Sequence, residues 1–439
     1  MLYLSVDFGT SSVKISVADD NCVTLQSAKR EYPYIMLPGE KAELDPKALM
    51  SAFYEAAQEL DPELRSKVEF LCYDTFSPSL VLMDEQGDPL YNIVTHLDRR
   101  SRAQSTYIDN NIGRDEFLSI TGVYPFTGGV SATTLLWFSQ NSPELLNKTH
   151  RLGHLPTFIH KQLTGEWAVD LVNASMIGLY KTTTQGGWAY ELIKELGFKR
   201  EWFSDIVNPG ETLGNLLPHM AEQLGVPAGI PVSMGTNDAA SAHLGAGNST
   251  AGRIMNTAGS SEMVTILTDK PVTNPKYYLR NAALPGLWQI YATTAGGFAV
   301  DWFYAQFCRE MPKEQFYGEY FRSCLDLTKG NPVTFMPYLA GDRQSLRKKR
   351  GAWNGLTLTS TREQMLAALL QSMQGVLYTA IKSAEKILPL DKVIKVAGGL
   401  TTPEYIDLKS RVMKGYSFEI VDDCPIKGNI KLAQRYMSK

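Results

Sequence analysis

The chain opens with an apolar run, Leu2 to Val6, that delivers Asp7 to a tight turn. A second run alternates with a period of two, placing Val13, Ile15 and Val17 on one side. This pattern predicts a β-hairpin closed by Gly9-Thr10-Ser11-Ser12. Asp45-Pro46 then reads as a helix start, and the 3.6-residue period continues from Ala48 to Leu60. Val68 to Tyr73 is a short strand that ends in Asp74-Thr75-Phe76-Ser77-Pro78. Val81 to Asp84 is another, with Glu85-Gln86-Gly87-Asp88 as its turn. Strands alternating with helices predict an α/β domain. From Ser101 to Ile206 the pattern is mostly helical, with Ser142 as the N-cap of a helix opening at Glu144. Ile230 to Asp238 reads as a buried strand ending in small residues, and Ala239 to Leu244 as a tightly packing helix. Gly245-Ala246-Gly247-Asn248 breaks the pattern and marks the expected boundary between domains of residues 1–245 and 246–439.

The second half repeats the opening. Arg253 to Asn256 is a strand, Thr257-Ala258-Gly259-Ser260-Ser261 its turn, and Met263 to Leu267 its partner. A repeated hairpin suggests a repeated domain, with one loop from each half facing a shared cleft. A long helix follows from about Arg362 to Leu388. The strand Val393 to Val396 then runs into Ala397-Gly398-Gly399-Leu400-Thr401-Thr402-Pro403, and a helix occupies Glu404 to Met413.

Composition narrows the function classes. At 439 residues the chain has room for two sizeable cores. Its 43 basic and 46 acidic residues, a net charge of −3, supply no electrostatic case for nucleic acid or an anionic membrane. The start carries no basic leader, and no apolar run approaches the about 20 residues of a membrane span. Five scattered cysteines form no Cys-x-x-Cys pair, so reduced thiols in a cytoplasmic protein are expected.

Three strands end in small residues that expose backbone N–H groups: Asp7 to Thr10, Thr257 to Ser261, and Ala397 to Thr402. Such loops suit phosphate or an adenine edge. In the first, Gly9 lets an anion approach, the hydroxyls of Thr10, Ser11 and Ser12 add donors, Lys14 adds charge, and Asp7 suits a Mg²⁺ that keeps most of its waters. None of the three fits a Walker A loop or Gly-x-Gly-x-x-Gly. Asp238, beside Asn237 at the end of an apolar strand, is the best general-base candidate, although local sequence alone favours a helix cap there. His96, Asp98, Arg99 and Arg100 offer hydrogen-bonding groups to a polyhydroxylated ligand, or form a solvated charged turn. His150, His154 and His160 match no metal-binding spacing. Arg347-Lys348-Lys349-Arg350 reads as a solvated loop.

Taken in order, these stretches resemble the FGGY carbohydrate kinases, of the superfamily that also holds actin and the heat-shock chaperone ATPases. Asp7 to Lys14 is similar to the first phosphate motif. Leu163-Thr164-Gly165-Glu166, Asp170 and Asn173-Ala174-Ser175 resemble a first-domain signature, and Gly235 to Ala240 the loop of the catalytic aspartate. Thr257 to Ser260 resembles the second phosphate motif. Met336 to Arg343 and Arg350 to Leu358 resemble the second-domain signature, and Ala397 to Pro403 the adenosine motif. The resemblance implies two RNase H-like α/β domains flanking a cleft, ATP and Mg²⁺ as cofactors, and a sugar as acceptor. It implies Asp238 as base and Asp7 at Mg²⁺. Gly9, Thr10, Ser11, Ser12, Lys14, Thr257, Gly259 and Ser260 would lie at phosphate, and Gly398, Gly399, Leu400 and Thr402 at adenosine. Thr75, Phe76, His96, Asp98, Arg100 and Asn237 would lie at the sugar. The partners implied are a small-molecule sugar and ATP, with no nucleic acid and no membrane; a homodimer is allowed. Xylulose and gluconate kinases carry Met-His where this chain has Thr75-Phe76 and Trp where it has His96. Asp74-Thr75-Phe76 and the His96 to Arg100 stretch look closer to rhamnulose kinases, and the Asp238 loop closer to xylulose kinases. A ketose such as xylulose is the expected acceptor. A catalytically weak sugar- or nucleotide-binding regulator is the alternative, and a chaperone- or filament-type ATPase a more distant one. Lys427 to Met437 takes the slot of a family helix rich in Ala and Gly, with more polar residues, and the usual final helix has no counterpart.

Overall fold

A computed structural model describes residues 1–339, 346 and 349–437. Ala340 to Arg343 of the second-domain signature, and Arg347 and Lys348 of the basic run, lie outside the described residues.

The opening pattern folds as its periodicity dictates. Strand β1 (Leu2–Phe8) pairs antiparallel with β2 (Ser12–Asp19), and β2 with β3 (Thr24–Glu31). Helix α1 (Pro46–Gln58) starts where Asp45 caps it, accepting from Lys47 N at 2.9 Å. It covers one face of the sheet, burying Leu49 and Phe53 against Leu4, Val6 and Phe8. Each such side chain contributes about 1.5–3 kcal/mol by leaving water. Strand β4 (Phe70–Thr75) is parallel to β1 and buried along its whole length. Downstream come helix α2 (Leu171–Ile177) and strands β5 (Thr212–Asn215), β6 (Pro231–Ser233) and β7 (Thr236–Asn237), then helix α3 (Asp238–Gly245). The expected single strand over Ile230 to Asp238 is therefore two short pieces, broken at Met234-Gly235. The sheet order is β5-β6-β4-β1-β2-β3, with β7 also beside β4. Ser142 does precede a helix, Pro143–Lys148, but its side chain makes no capping bond.

The second sheet repeats the plan. Strands β8 (Ile254–Ala258), β9 (Glu262–Thr268), β10 (Tyr278–Asn281) and β11 (Trp288–Thr294) precede helix α4 (Gly297–Phe307). Helix α5 (Arg362–Ala384), closed at its start by a reciprocal Thr361–Gln364 capping box, precedes strand β12 (Val393–Ala397). Helix α6 (Pro403–Val412), strand β13 (Ser417–Ile420) and helix α7 (Cys424–Met437) complete the order. The run β11-β9-β8-β12-β13 matches β3-β2-β1-β4-β6: two antiparallel pairings, then two parallel ones. Both are RNase H-like sheets, as the repeated hairpin implied.

Helix α7 does not stay with the second sheet. Its Ile430 and Ala433 pack on Tyr3, Phe70 and Cys72, the face of β1 and β4 opposite α1. Central strands covered on both faces explain why β1 is nearly continuous in its burial instead of alternating. Helix α7 also crosses α3 closely. A Cβ on Gly428 would stand 2.0 Å from Ser241 O, so no larger residue fits that crossing. All five cysteines are buried free thiols, and among the described residues no helix is long and apolar enough to cross a membrane.

Candidate active site

The parallel strands β1, β4 and β7 end together, and their register sets two acidic residues side by side. Asp7 lies opposite Asp74, Asp74 opposite Thr236, and Thr75 opposite Asn237. Asp238 follows as the first residue of α3. The cap there is Asn237, whose Oδ1 accepts from Ala240 N at 3.3 Å. This corrects the local expectation that Asp238 caps the helix. Asp238 Oδ1 instead accepts from Ala239 N at 2.7 Å and Asn237 Nδ2 at 2.8 Å. Burial and the nearby Asp7 charge push its pKa up to about 7 despite those two donors.

Asp7 and Asp74 compete for the same charge. Burial raises both, and the neighbouring carboxylates raise Asp74 further, well above the usual range. The two carboxyl groups share a hydrogen bond, and burial disfavours a charge on both at once. Asn429, reaching in from α7, donates to Asp74 Oδ2 at 2.6 Å, while Asp74 Oδ1 is buried without an N–H or O–H donor among the described residues. An orphaned acidic oxygen beside a second carboxylate is a donor set that fits a hard divalent cation. Among the described residues no three acidic, His or Cys side chains form a cage, so most of such an ion's ligands would be water and phosphate, as Mg²⁺ prefers.

A polar network fixes these strand ends from below. Thr236 Oγ1 donates to Asp170 Oδ1 at 2.9 Å, and Asp170 caps α2 through the N–H groups of Val172 and Asn173. Asn173 Nδ2 donates to Asp170 Oδ2 at 2.7 Å, and its Oδ1 accepts from Ser77 Oγ at 2.5 Å. His154 bridges Asn173 Oδ1 and Ser131 Oγ, and burial pulls its pKa down to about 3, so it stays neutral. The first-domain signature thus buttresses the loop that follows β4.

Each sheet carries a glycine loop between its first two antiparallel strands. Gly9 N donates to Ser12 O at 3.0 Å, and the Tyr32 hydroxyl donates to Gly9 O. Lys14, expected at phosphate, pairs with Asp423. In the second loop Gly259 N donates to Ser261 O at 3.1 Å. The first N–H groups of α4, from Gly297 and Phe298, donate to Gly259 O and Ser260 O at 2.9 and 2.8 Å, and so hold the loop itself. Leu400 N donates to Ala258 O at 2.9 Å, tying the adenosine-type loop to β8. Thr402 caps α6, accepting from Tyr405 N.

On the side expected to meet sugar, the residues divide. Thr75 and Phe76 are buried, Phe76 lying edge-on to His96 with centroids 5.9 Å apart. His96 lines a crevice with Ser77, Pro78 and Gly129. Asp98 and Arg100 are not among the residues that line it. Asp98 accepts from Ala42 N at 2.8 Å and from Arg100 N and Nε, and Arg100 Nη2 reaches Asp98 at 2.8 Å and Glu43 at 2.5 Å. The guanidinium also lies 5.0 Å from the Trp137 ring centroid. With side chains 1–2 % exposed, Asp98 and Arg100, both expected at the sugar, form a buried cluster with Glu43. Asp74, Ser77, Pro78 and Asn429 were not among the expected site residues. Asp74 and Ser77 stood in a quoted stretch; nothing local marks Asn429.

Residues 2–245 match the FGGY family of carbohydrate kinases, N-terminal domain. The chain belongs to the FGGY family of carbohydrate kinases. It is 25 % identical to a gluconokinase of Bacillus subtilis, over 91 % of this chain and 80 % of that protein. It is 23 % identical to a xylulose kinase of the same organism, over 93 % and 83 %. The structure of a ligand-bound xylulose kinase from Lactobacillus acidophilus superposes with a TM-score of 0.88 at 20 % identity, covering 100 % of this chain and 89 % of that one. An FGGY carbohydrate kinase transfers a phosphoryl group from ATP to a sugar hydroxyl.

In this FGGY kinase Gly398 has φ +114°, and a Cβ there would stand 2.4 Å from Ala258 O. Gly398→Ala therefore displaces backbone against backbone. The strain, about 1–3 kcal/mol, is expected to appear as a roughly tenfold or greater rise in KM for ATP. An unchanged KM in steady-state assays would show that this loop does not meet the nucleotide.

Proposed function

We propose that Asp238 is the general base of this kinase, taking the proton of a sugar hydroxyl as its oxygen attacks the γ-phosphorus of ATP and ADP departs. The observation that carries this reading is the Asp238 carboxylate itself. It stands at the start of α3, held by Asn237 and Ala239, beside Asp7 and next to the strand that leads into the Ser77–His96 crevice. Asp7 and Asp74 would hold Mg²⁺, which supplies neutralising charge for the phosphates when bound. The loops at Thr10 and Gly259 would receive phosphate, and Gly398 to Thr402 adenosine. The resemblance to xylulose and gluconate kinases favours an open-chain, polyhydroxylated acceptor, of which a ketose such as xylulose is the simplest.

A coupled ADP-release assay with Mg·ATP against ketoses, aldoses, sugar acids and polyols tests this. Turnover confined to one acceptor class supports it; silence across the panel with ATP still bound removes it. The base must be ionised to act. With its pKa pushed up to about 7, kcat/KM for the sugar is expected to fall as pH drops through that value. An acid limb near the ordinary carboxylate range of about 4 would refute the buried setting of Asp238.

A further inference from the structure

One buried side chain beside the carboxylates arrives from the far end of the chain. The buried residues of α7 are small or apolar, with Asn429 the exception. It is 2 % exposed. An amide in such a place costs free energy unless its donors and its acceptor all find partners. Here Nδ2 donates to Asp74 Oδ2 at 2.6 Å and to Val6 O at 3.3 Å, and Oδ1 accepts from Ser241 Oγ at 2.7 Å. A carbonyl oxygen such as Val6 O can only accept, so Nδ2, and not Oδ1, is the atom turned toward the strand ends.

The helix that carries Asn429 is itself fixed in place. Ser5 Oγ, on β1, donates to Ile426 O at 3.1 Å, and Ser241 Oγ, on α3, also lies 3.1 Å from Pro425 O. Gly428, next to Asn429, lets α7 lie directly against Ser241 O. Asn429 therefore enters at a set depth between β1, β4 and α3. These are the three elements that carry Asp7, Asp74 and Asp238. Asp74 Oδ2 receives its donor from this amide, whereas no amide or hydroxyl among the described residues reaches the buried Oδ1.

We propose that Asn429 is a positioning residue for the cation of this kinase: it holds Asp74 by Oδ2 and so leaves Oδ1 as the oxygen offered to Asp7 and to Mg²⁺. This deepens the reading of Asp7 and Asp74 as the carboxylates that hold the ion, and rests on it. A carboxylate free to turn presents either oxygen, whereas one that is hydrogen-bonded at one oxygen presents the other. Because the fold orders Asp74 in advance, binding the ion does not have to. The end of the chain thereby takes part in the chemistry of its beginning.

The test is calorimetric titration of ADP, once in EDTA and once in Mg²⁺, into the wild type, Asn429→Ala, Asn429→Leu and Ser241→Ala. In the wild type Mg²⁺ is expected to tighten ADP. Asn429→Ala removes the donor and should weaken ADP with Mg²⁺ by about tenfold or more, while ADP in EDTA binds as it does to the wild type. Asn429→Leu, of similar size and also without a donor, should do the same, and it decides the matter if Asn429→Ala does not fold. Ser241→Ala breaks a hydrogen bond at the same helix crossing but leaves the donor on Asp74, and should keep most of the tightening. Adding Asn429→Ala to Asp74→Asn should cost little more, because the carboxylate through which Asn429 acts is gone. Full tightening in both Asn429 variants overturns the proposal, as does an equal loss in EDTA, an equal loss in Ser241→Ala, or a loss that adds in full to that of Asp74→Asn. A wild type indifferent to Mg²⁺ refutes the ion-holding role of Asp7 and Asp74, and this proposal with it; a responsive wild type with unaffected variants refutes this proposal alone.

Discussion

Asp238→Asn is expected to lower kcat by about 10²- to 10⁴-fold while ATP binding by calorimetry stays near that of the wild type. Asparagine matches aspartate in shape, and its amide oxygen can still accept from Ala239 N, as Asp238 Oδ1 does at 2.7 Å. Helix α3 keeps its start, because the capping oxygen belongs to Asn237. What disappears is the ability to take a proton. The glycine loops and the Asp7–Asp74 pair remain, so positioning and charge stabilisation sustain a residual rate. The variant should also lose the acid limb near pH 7 that burial and Asp7 impose on Asp238. A kcat within a factor of about three of the wild type, small against the usual range for a general base, would remove Asp238 from that role.

Lys409→Met carries the largest expected loss of stability. Lys409 on α6 and Glu262, the first residue of β9, are both 0 % exposed and pair directly. Glu262 Oε2 also accepts from Gln374 Nε2 at 2.8 Å and the Tyr405 hydroxyl at 2.7 Å. Burial pulls the Lys409 pKa down, against the pull of Glu262. Removing the lysine leaves a buried carboxylate without its cation, a change that costs about 3–5 kcal/mol. The urea midpoint should fall accordingly, and KM for ATP should rise. The cluster joins β9, just past the second phosphate loop, to α5 and to α6, just past the adenosine-type loop. Adding Glu262→Gln to Lys409→Met should restore much of the midpoint, since the unpaired charge is then gone. An unshifted midpoint in the single variant would show that the pair is not ionised in the folded protein.

Much of this was legible without coordinates because it is local. A strand that ends in a tight turn shows itself in Asp7-Phe8-Gly9-Thr10, and a helix entered through Asp45-Pro46 needs that cap. The repeat of strand, glycine turn and strand at Ile254 to Thr268 foretold a second sheet of the same order as the first. Charged side chains resisted such inference. Asp98 and Arg100 have the chemistry to hold a sugar, and nothing in their spacing reveals that Glu43, more than fifty residues earlier, would close them into a buried pair (|i−j| = 57). Nothing near Lys14, expected at phosphate, reveals that it pairs with Asp423 (|i−j| = 409).

The sequence by itself carried the resemblance to the family, which implied the two RNase H-like sheets, and its periodicity and local residue types fixed the repeated hairpins and the loops that end their strands. Only the tertiary structure decided which polar groups are spent inside the fold and which remain to meet a ligand. Helix α7 returns from the second half to bring Asn429 to Asp74, α6 carries Lys409 to Glu262, and β10 sets Arg280 beside two carbonyls at the crevice. A charge is silent about its partner until packing removes the water between them, and that packing joins residues hundreds of positions apart.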